Sequence, residues 1–286
     1  MIVCKFGGSS LADAACFKNA ADIMLASHKR RVLVLSAPGK HLGKGEKITD
    51  VLFGIVEKNN RGRDFSKAKE LLSNRLCEIE SELLGSTSIS EKLVESLEER
   101  LGLGKAYVVS LGEEFSCDIM VEYLKKKRKV SVGIFDPVHL LVEVNGRGIA
   151  YVPASSYQKI AGILNPLVEK YKIVCVPGFF GTDGEGKRHL FSRGGSDYTA
   201  VVLGVVLSAE CCEKFTDVDG VMDMNPRVSA DAQVIPTLTY DDFLQIVRST
   251  RSPVFHLDAL KVAMEANLCL RIANSFNPNR SGTIVN

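Results

Sequence analysis

The chain opens on a stretch that leaves few folds available to it. Met1-Ile2-Val3-Cys4-Lys5-Phe6 is apolar at all but one position, and it runs straight into Gly7-Gly8-Ser9-Ser10 and then into apolar residues at helical spacing (Ala14, Phe17, Ala21, Met24, Leu25). A short apolar run ended by glycine reads as a strand covered on both faces, and the pattern behind it makes a strand, a sharp turn and a helix. The unit recurs. Val32 to Leu35 ends in Ser36-Ala37-Pro38-Gly39, Lys172 to Val176 in Pro177-Gly178, and Glu210 to Phe215 in Thr216-Asp217-Val218-Asp219-Gly220. Buried strands alternating with helices predict an α/β fold with a mainly parallel sheet, whose ligands bind where the strands end.

Between these units the chain is read in order. Residues 48 to 103 are mainly helical (Asp50 to Lys58, Phe65 to Leu84, Glu91 to Leu101), with alternating acids and bases that suit a solvated face, and are taken as a helical insert. Ala106 to Ser110 reads as a strand opening into a helix from Leu111 to Lys127, and Val130 to Phe135 as another strand. Asn145-Gly146-Arg147-Gly148 is a turn, Ser156 to Tyr171 a helix despite Pro166, Ala200 to Ser208 a helix, and Leu268 to Ile272 the last strand.

Two corners carry chemistry. Gly7-Gly8 lets backbone N–H groups approach a ligand, the following helix, with Ser9 or Ser10 as N-cap, adds a partial positive charge, and Lys5 adds a cation: together a phosphate corner. Taken alone, an ordinary turn with a solvated lysine fits as well. Arg193-Gly194-Gly195-Ser196-Asp197 before a helix puts a forked cation, a hydroxyl, a carboxylate and free N–H donors within five residues. A formal charge of +2 argues against a nucleic-acid or membrane partner driven by bulk electrostatics. No apolar run reaches the length of a membrane span, and no signal sequence is apparent. The eight cysteines include no C-x-x-C pair and read as reduced thiols of a cytoplasmic protein. No Walker A sequence and no protein-kinase HRD or DFG set occurs.

Lys5-Phe6-Gly7-Gly8-Ser9-Ser10, Arg193-Gly194-Gly195-Ser196-Asp197-Tyr198-Thr199-Ala200 and Thr216-Asp217-Val218-Asp219-Gly220-Val221 resemble, in the right order, the signatures of the aspartate kinases within the amino-acid kinase superfamily. The resemblance spans essentially the whole chain. It implies a three-layer αβα sandwich and transfer of the γ-phosphate of ATP, with Mg²⁺, to the side-chain carboxylate of L-aspartate. It also implies roles: Lys5, Gly7, Gly8, Ser9 and Asp197 for the chemistry, Ser36, Thr49, Glu113, Arg193 and Ser196 for the amino acid, and Thr216, Asp217, Met222 and Arg227 for the nucleotide. Arg193 would clamp the α-carboxylate, and Glu113 would face the ammonium group. A helix N-terminal acid is an equal reading of Glu113, and ordinary loop chemistry an equal reading of Ser36. Lys40 to Lys47 (KHLGKGEK) reads as a basic loop over an anion or as a solvated connection. Asp217, Asp219 and Asp223 fail the later positions of a calcium loop, and no metal-ligating residues are assigned.

The chain departs from the family pattern at Arg251-Ser252-Pro253-Val254-Phe255-His256, where Pro253 stands in place of a lysine that reaches ATP; His256 reads as a capping residue. The whole of residues 1–286 is taken as one catalytic domain, without the regulatory domains that follow in typical family members, and a homodimer is allowed for. Two rivals are carried: another small-molecule kinase of this fold, disfavoured by Arg193 and Glu113, and a non-catalytic nucleotide- or amino-acid-binding module, motivated by Pro253.

Overall fold

Successive side chains of a strand point to opposite sides of a sheet, so a run apolar at every position needs cover on both. In the computed structural model, which describes residues 1–40, 46–224, 232–250 and 254–286, that cover is two helical layers. The chain runs β1 (Ile2–Phe6), α1 (Ala14–Leu25), β2 (Arg30–Leu35), α2 (Ile48–Asn60), α3 (Ser66–Leu84), α4 (Ser88–Glu95), α5 (Leu97–Leu103), α6 (Lys105–Val109), α7 (Leu111–Lys126) and β3 (Val132–Ile134). It continues through the ribbon β4 (Glu143–Val144) and β5 (Ala150–Tyr151), then α8 (Tyr157–Lys170), β6 (Ile173–Pro177) and the hairpin β7 (Phe180–Thr182) and β8 (Arg188–Leu190). Last come α9 (Gly195–Val206), β9 (Cys211–Thr216), β10 (Thr237–Leu238), α10 (Tyr240–Ser249), α11 (Leu257–Glu265), β11 (Leu270–Asn274) and β12 (Thr283–Val285).

The main sheet has the order β10-β12-β11-β9-β1-β2-β6-β3, parallel throughout from β11 to β3, with β12 antiparallel to β11. The expected α/β sandwich is therefore the observed fold. Cys4, Phe6, Leu33 and Leu35 face one core with α1 to α7, whereas Val3, Val32 and Val34 face the other with α8 to α11. The helices of residues 48 to 103 thus share their core with α1 and α7 and form part of one layer. Among the described residues no helix is long and apolar enough to cross a membrane.

Four local readings need correction. Ala106 to Ser110 is not a strand; α6 occupies it, because Gly104 turns the chain at φ +114° and Val108 and Val109 are fully buried in the helical layer. Tertiary burial overrides the strand preference of paired valines. Neither Ser9 nor Ser10 caps α1, since Gly8–Leu11 forms a 3-10 turn and Asp13 takes the cap, accepting from Cys16 N at 2.8 Å. The helix expected over Glu91 to Leu101 divides at Ser96 into α4 and α5. Finally, α9 begins at Gly195 rather than Ala200, which brings Ser196 and Asp197 into its first turn.

Candidate active site

At the carboxyl ends of β1, β2 and β9 lies a cavity of about 900 Å³, within the range of small-molecule sites. Its floor is a contact that only glycine allows. Gly8 and Gly39 meet back to back, with Gly39 N–H donating to Gly8 O at 2.8 Å, and a Cβ at Gly39 would lie 2.6 Å from Gly8 C. This joins the corner after β1 to the corner after β2. The amides of Gly8 and Ser9 have no acceptor among the described residues and line the cavity together with the first turn of α9. Gly194, left-handed at φ 89°, precedes that turn. Two sets of unpaired N–H groups therefore open on one space, as an anion site requires.

Lys5 is 6% exposed, and its Nζ lies 2.6 Å from Asp197 Oδ1. Lys214 Nζ lies 2.6 Å from the other oxygen, Oδ2. Lys5 and Lys214 are register partners on β1 and β9, an arrangement that would repel without a carboxylate between them. Burial alone would raise the Asp197 carboxyl, but Lys214 and Lys5 overcome it and hold it down at about 2. His256 N–H also donates to Oδ2, at 3.2 Å, while the His256 ring accepts from Ala259 N and so caps α11, as its sequence setting suggests.

The cavity is also lined by a carboxyl group and a guanidinium, Glu113 and Arg193. Glu113, near the start of α7, is 3% exposed, and its Oε2 has no hydrogen-bond partner among the described residues. Its neighbour Glu114 is fully engaged by Arg100 and Arg188. Burial pushes the Glu113 carboxyl up to about 8, against the pull of the Ala37 backbone and of Lys5. Arg193 is largely solvated and, among the described residues, pairs with Asp50 at 3.1 Å.

The cavity is lined by Lys5, Gly7, Gly8, Ser9, Ser36, Thr49, Glu113, Arg193, Ser196, Thr216 and Asp217, so eleven of the expected residues converge, with Asp197 directly behind Lys5. Glu113 does so from a helix that follows another helix, not from the end of a strand as expected. Met222 does not line the cavity; it pairs with Val234 in an isolated bridge. Arg227, Pro253, Arg251 and most of the Lys40 to Lys47 loop lie outside the described residues. Lys214 was missed: a lysine inside a buried strand signals its importance only through its register with Lys5. Of the acids after β9, Asp219 is held by Asn274 and Arg280, at 2.7 Å each, and Asp223 accepts from Gln233 N. Among the described residues no three His, Cys, Asp or Glu side chains cluster to hold a metal.

A parallel sheet whose strand-end corners converge on one cavity matches a known class: residues 1–274 fit the amino acid kinase family, and the chain belongs to it. Within that family it is closely related to the aspartokinases. It is 33% identical to aspartokinase 3 of Bacillus subtilis over 292 residues, covering all of this chain and 63% of that protein. The crystal structure of E. coli aspartokinase III in complex with aspartate and ADP superposes at a TM-score of 0.87 with 26% identity, over 100% of this chain and 64% of that one. The aspartate kinase of Clostridium acetobutylicum superposes at 0.83 with 28% identity, over 100% and 63%. The chain thus spans less than two thirds of the length of these relatives.

Proposed function

We propose that this chain transfers the γ-phosphate of ATP to the side-chain carboxylate of L-aspartate, giving 4-phospho-L-aspartate and ADP. The carrying observation is that one cavity presents Glu113, a buried carboxyl group whose Oε2 has no hydrogen-bond partner among the described residues, and Arg193, a solvated guanidinium, beside the corner of Lys5 and the Gly8 and Ser9 amides. The first two complement the ammonium and α-carboxylate of an amino acid; the corner complements a phosphate chain.

In this reading Arg193 and Glu113 fix the amino acid, with Ser36, Thr49 and Ser196 as hydroxyl donors, so that its side-chain carboxylate faces the γ-phosphorus. The carboxylate is already ionised at neutral pH and needs no general base. Its oxygen forms the new bond to phosphorus as the bond to the β,γ-bridging oxygen breaks, and ADP leaves with that electron pair. Little covalent work is left to the protein, so alignment and charge neutralisation by Lys5 and the Gly8 and Ser9 amides carry the acceleration. Asp197 holds Lys5 in place. Thr216 and Asp217, which line the cavity, belong to the nucleotide side. Asp217, which carries no ion pair among the described residues, would hold Mg²⁺, whose bound charge would neutralise that of the phosphates; a single carboxylate suits a cation that usually keeps several waters, and among the described residues no acidic cluster lines the cavity.

The test is ADP release with Mg-ATP and L-aspartate, L-glutamate or no acceptor, with hydroxylamine trapping the acyl phosphate. Aspartate-dependent turnover is expected, and Lys5→Ala should lower it about 10²- to 10³-fold, as loss of one charge-stabilising donor does. ATP binding without turnover on any acceptor would instead favour the binding-module reading.

A further inference from the structure

Lys214 has no role in the transfer as described so far, yet its setting is costly for a merely structural residue. Its side chain is 12% exposed and lines the cavity. Its Nζ donates to Asp197 Oδ2 at 2.6 Å and to Val254 O at 2.5 Å, and lies 5.3 Å from the centre of the Phe255 ring. An ammonium has three donors, and two are taken. Asp197 already has the Lys5 ammonium 2.6 Å from its other oxygen. One carboxylate with two ammonium groups leaves, among the described residues, one positive charge without an ion-pair partner of its own. Burying charge costs several kcal/mol per ion, and an apolar side chain would serve packing better. The surplus charge faces the cavity, and an anion there is what compensates it.

We propose that Lys214 is a second phosphate-directed cation, which contacts the terminal phosphate of the bound nucleotide together with Lys5 while Asp197 holds the two ammonium groups on either side of the phosphate path. The inference rests on the reading of the cavity as a phosphate-transfer site. Burial lowers the Lys214 ammonium to about 8 despite Asp197, so an arriving anion stabilises a charge that burial disfavours.

The experiment compares wild type, Lys214→Met and Lys214→Arg in the full chain by calorimetric titration with Mg-ADP and with a non-hydrolysable Mg-ATP analogue. The Met variant should bind the ATP analogue about tenfold or more weakly while Mg-ADP affinity changes less than about twofold, and Arg should restore part of the difference. Equal losses for both nucleotides, or none, would overturn the proposal and leave Lys214 a counter-ion of Asp197. If the Met variant does not fold, a pH series in Glu113→Gln, which removes the other cavity group that ionises near 8, decides. The preference for the ATP analogue over ADP should shrink as pH rises through about 8, where Lys214 loses its proton among Lys5 on β1, Asp197 on α9, Asp217 after β9 and His256 before α11. A preference that does not change with pH overturns it. Absence of turnover on every acceptor would sink the proposed reaction while leaving this nucleotide comparison to decide Lys214 by itself.

Discussion

Asp197→Asn is expected to lower phosphate transfer by about 10³-fold, the upper range for losing a charge-organising group, and to cost about 3–5 kcal/mol of stability through breaking a buried ion pair. The reason is the double load on one carboxylate: Lys5 at one oxygen, and Lys214 and the His256 amide at the other. Asparagine keeps the shape and removes the charge, so two buried ammonium groups face each other. The pH dependence has a definite sign. Because the folded carboxyl is held at about 2, below its ordinary 3.8, its contribution is present above about pH 4 and is lost as pH falls toward 2. Urea unfolding at pH 7 and pH 3 measures this: the gap between wild type and Asn variant should narrow at the lower pH. A variant with wild-type turnover would refute the organising role of Asp197.

Glu113 gives the second large effect, with opposite sign. Its carboxyl, raised to about 8 from 4.5 by burial, holds a proton at neutral pH that binding of an ammonium group must displace. The acceptor KM should therefore fall about tenfold per pH unit between about pH 6 and 8 and level off above. Glu113→Gln should remove that slope and reduce kcat/KM for the acceptor by about a hundredfold or more, as loss of a buried charge partner does, with nucleotide affinity unchanged. For stability the sign reverses. Between pH 4.5 and about 8 the folded chain binds a proton that the unfolded chain releases, so stability declines as pH rises through this window. The Gln variant should lack the decline and be the more stable protein at pH 8, less active and more stable through one change. An acceptor KM with the same pH slope in both proteins would show that Glu113 does not meet the ammonium group.

The features legible in the sequence are those in which one short segment carries both backbone and chemistry. Gly7-Gly8 after a buried strand and Arg193-Gly194-Gly195-Ser196-Asp197 before a helix each hold their turn and their polar groups within a few residues, so reading them locally finds them. Lys214 is not of that kind. Nothing adjacent to it marks it, and its meaning comes from β1 lying beside β9 and from Asp197 reaching both lysines. The α6 segment failed for a related reason, because Val108 and Val109 prefer a strand in isolation and are helical where the layer needs them. The serines at positions 9 and 10 were plausible caps by type, but Ser10 is occupied by Ser275, 2.7 Å away, a partner at the far end of the chain.

The position of β1 in the sheet also bears on how the chain comes to be folded at all. β1 is hydrogen-bonded on one side to β2, which follows soon after, and on the other to β9, whose Phe215 must be synthesised before Phe6 can stack on it at 4.7 Å. Until then one edge of an apolar strand stays bare, and pairings so distant along the chain form slowly. Newly made or refolding chains should be most prone to aggregate in that interval, and shielding the open edge of Ile2–Phe6, rather than strengthening the finished core, is the means of raising the yield of folded protein.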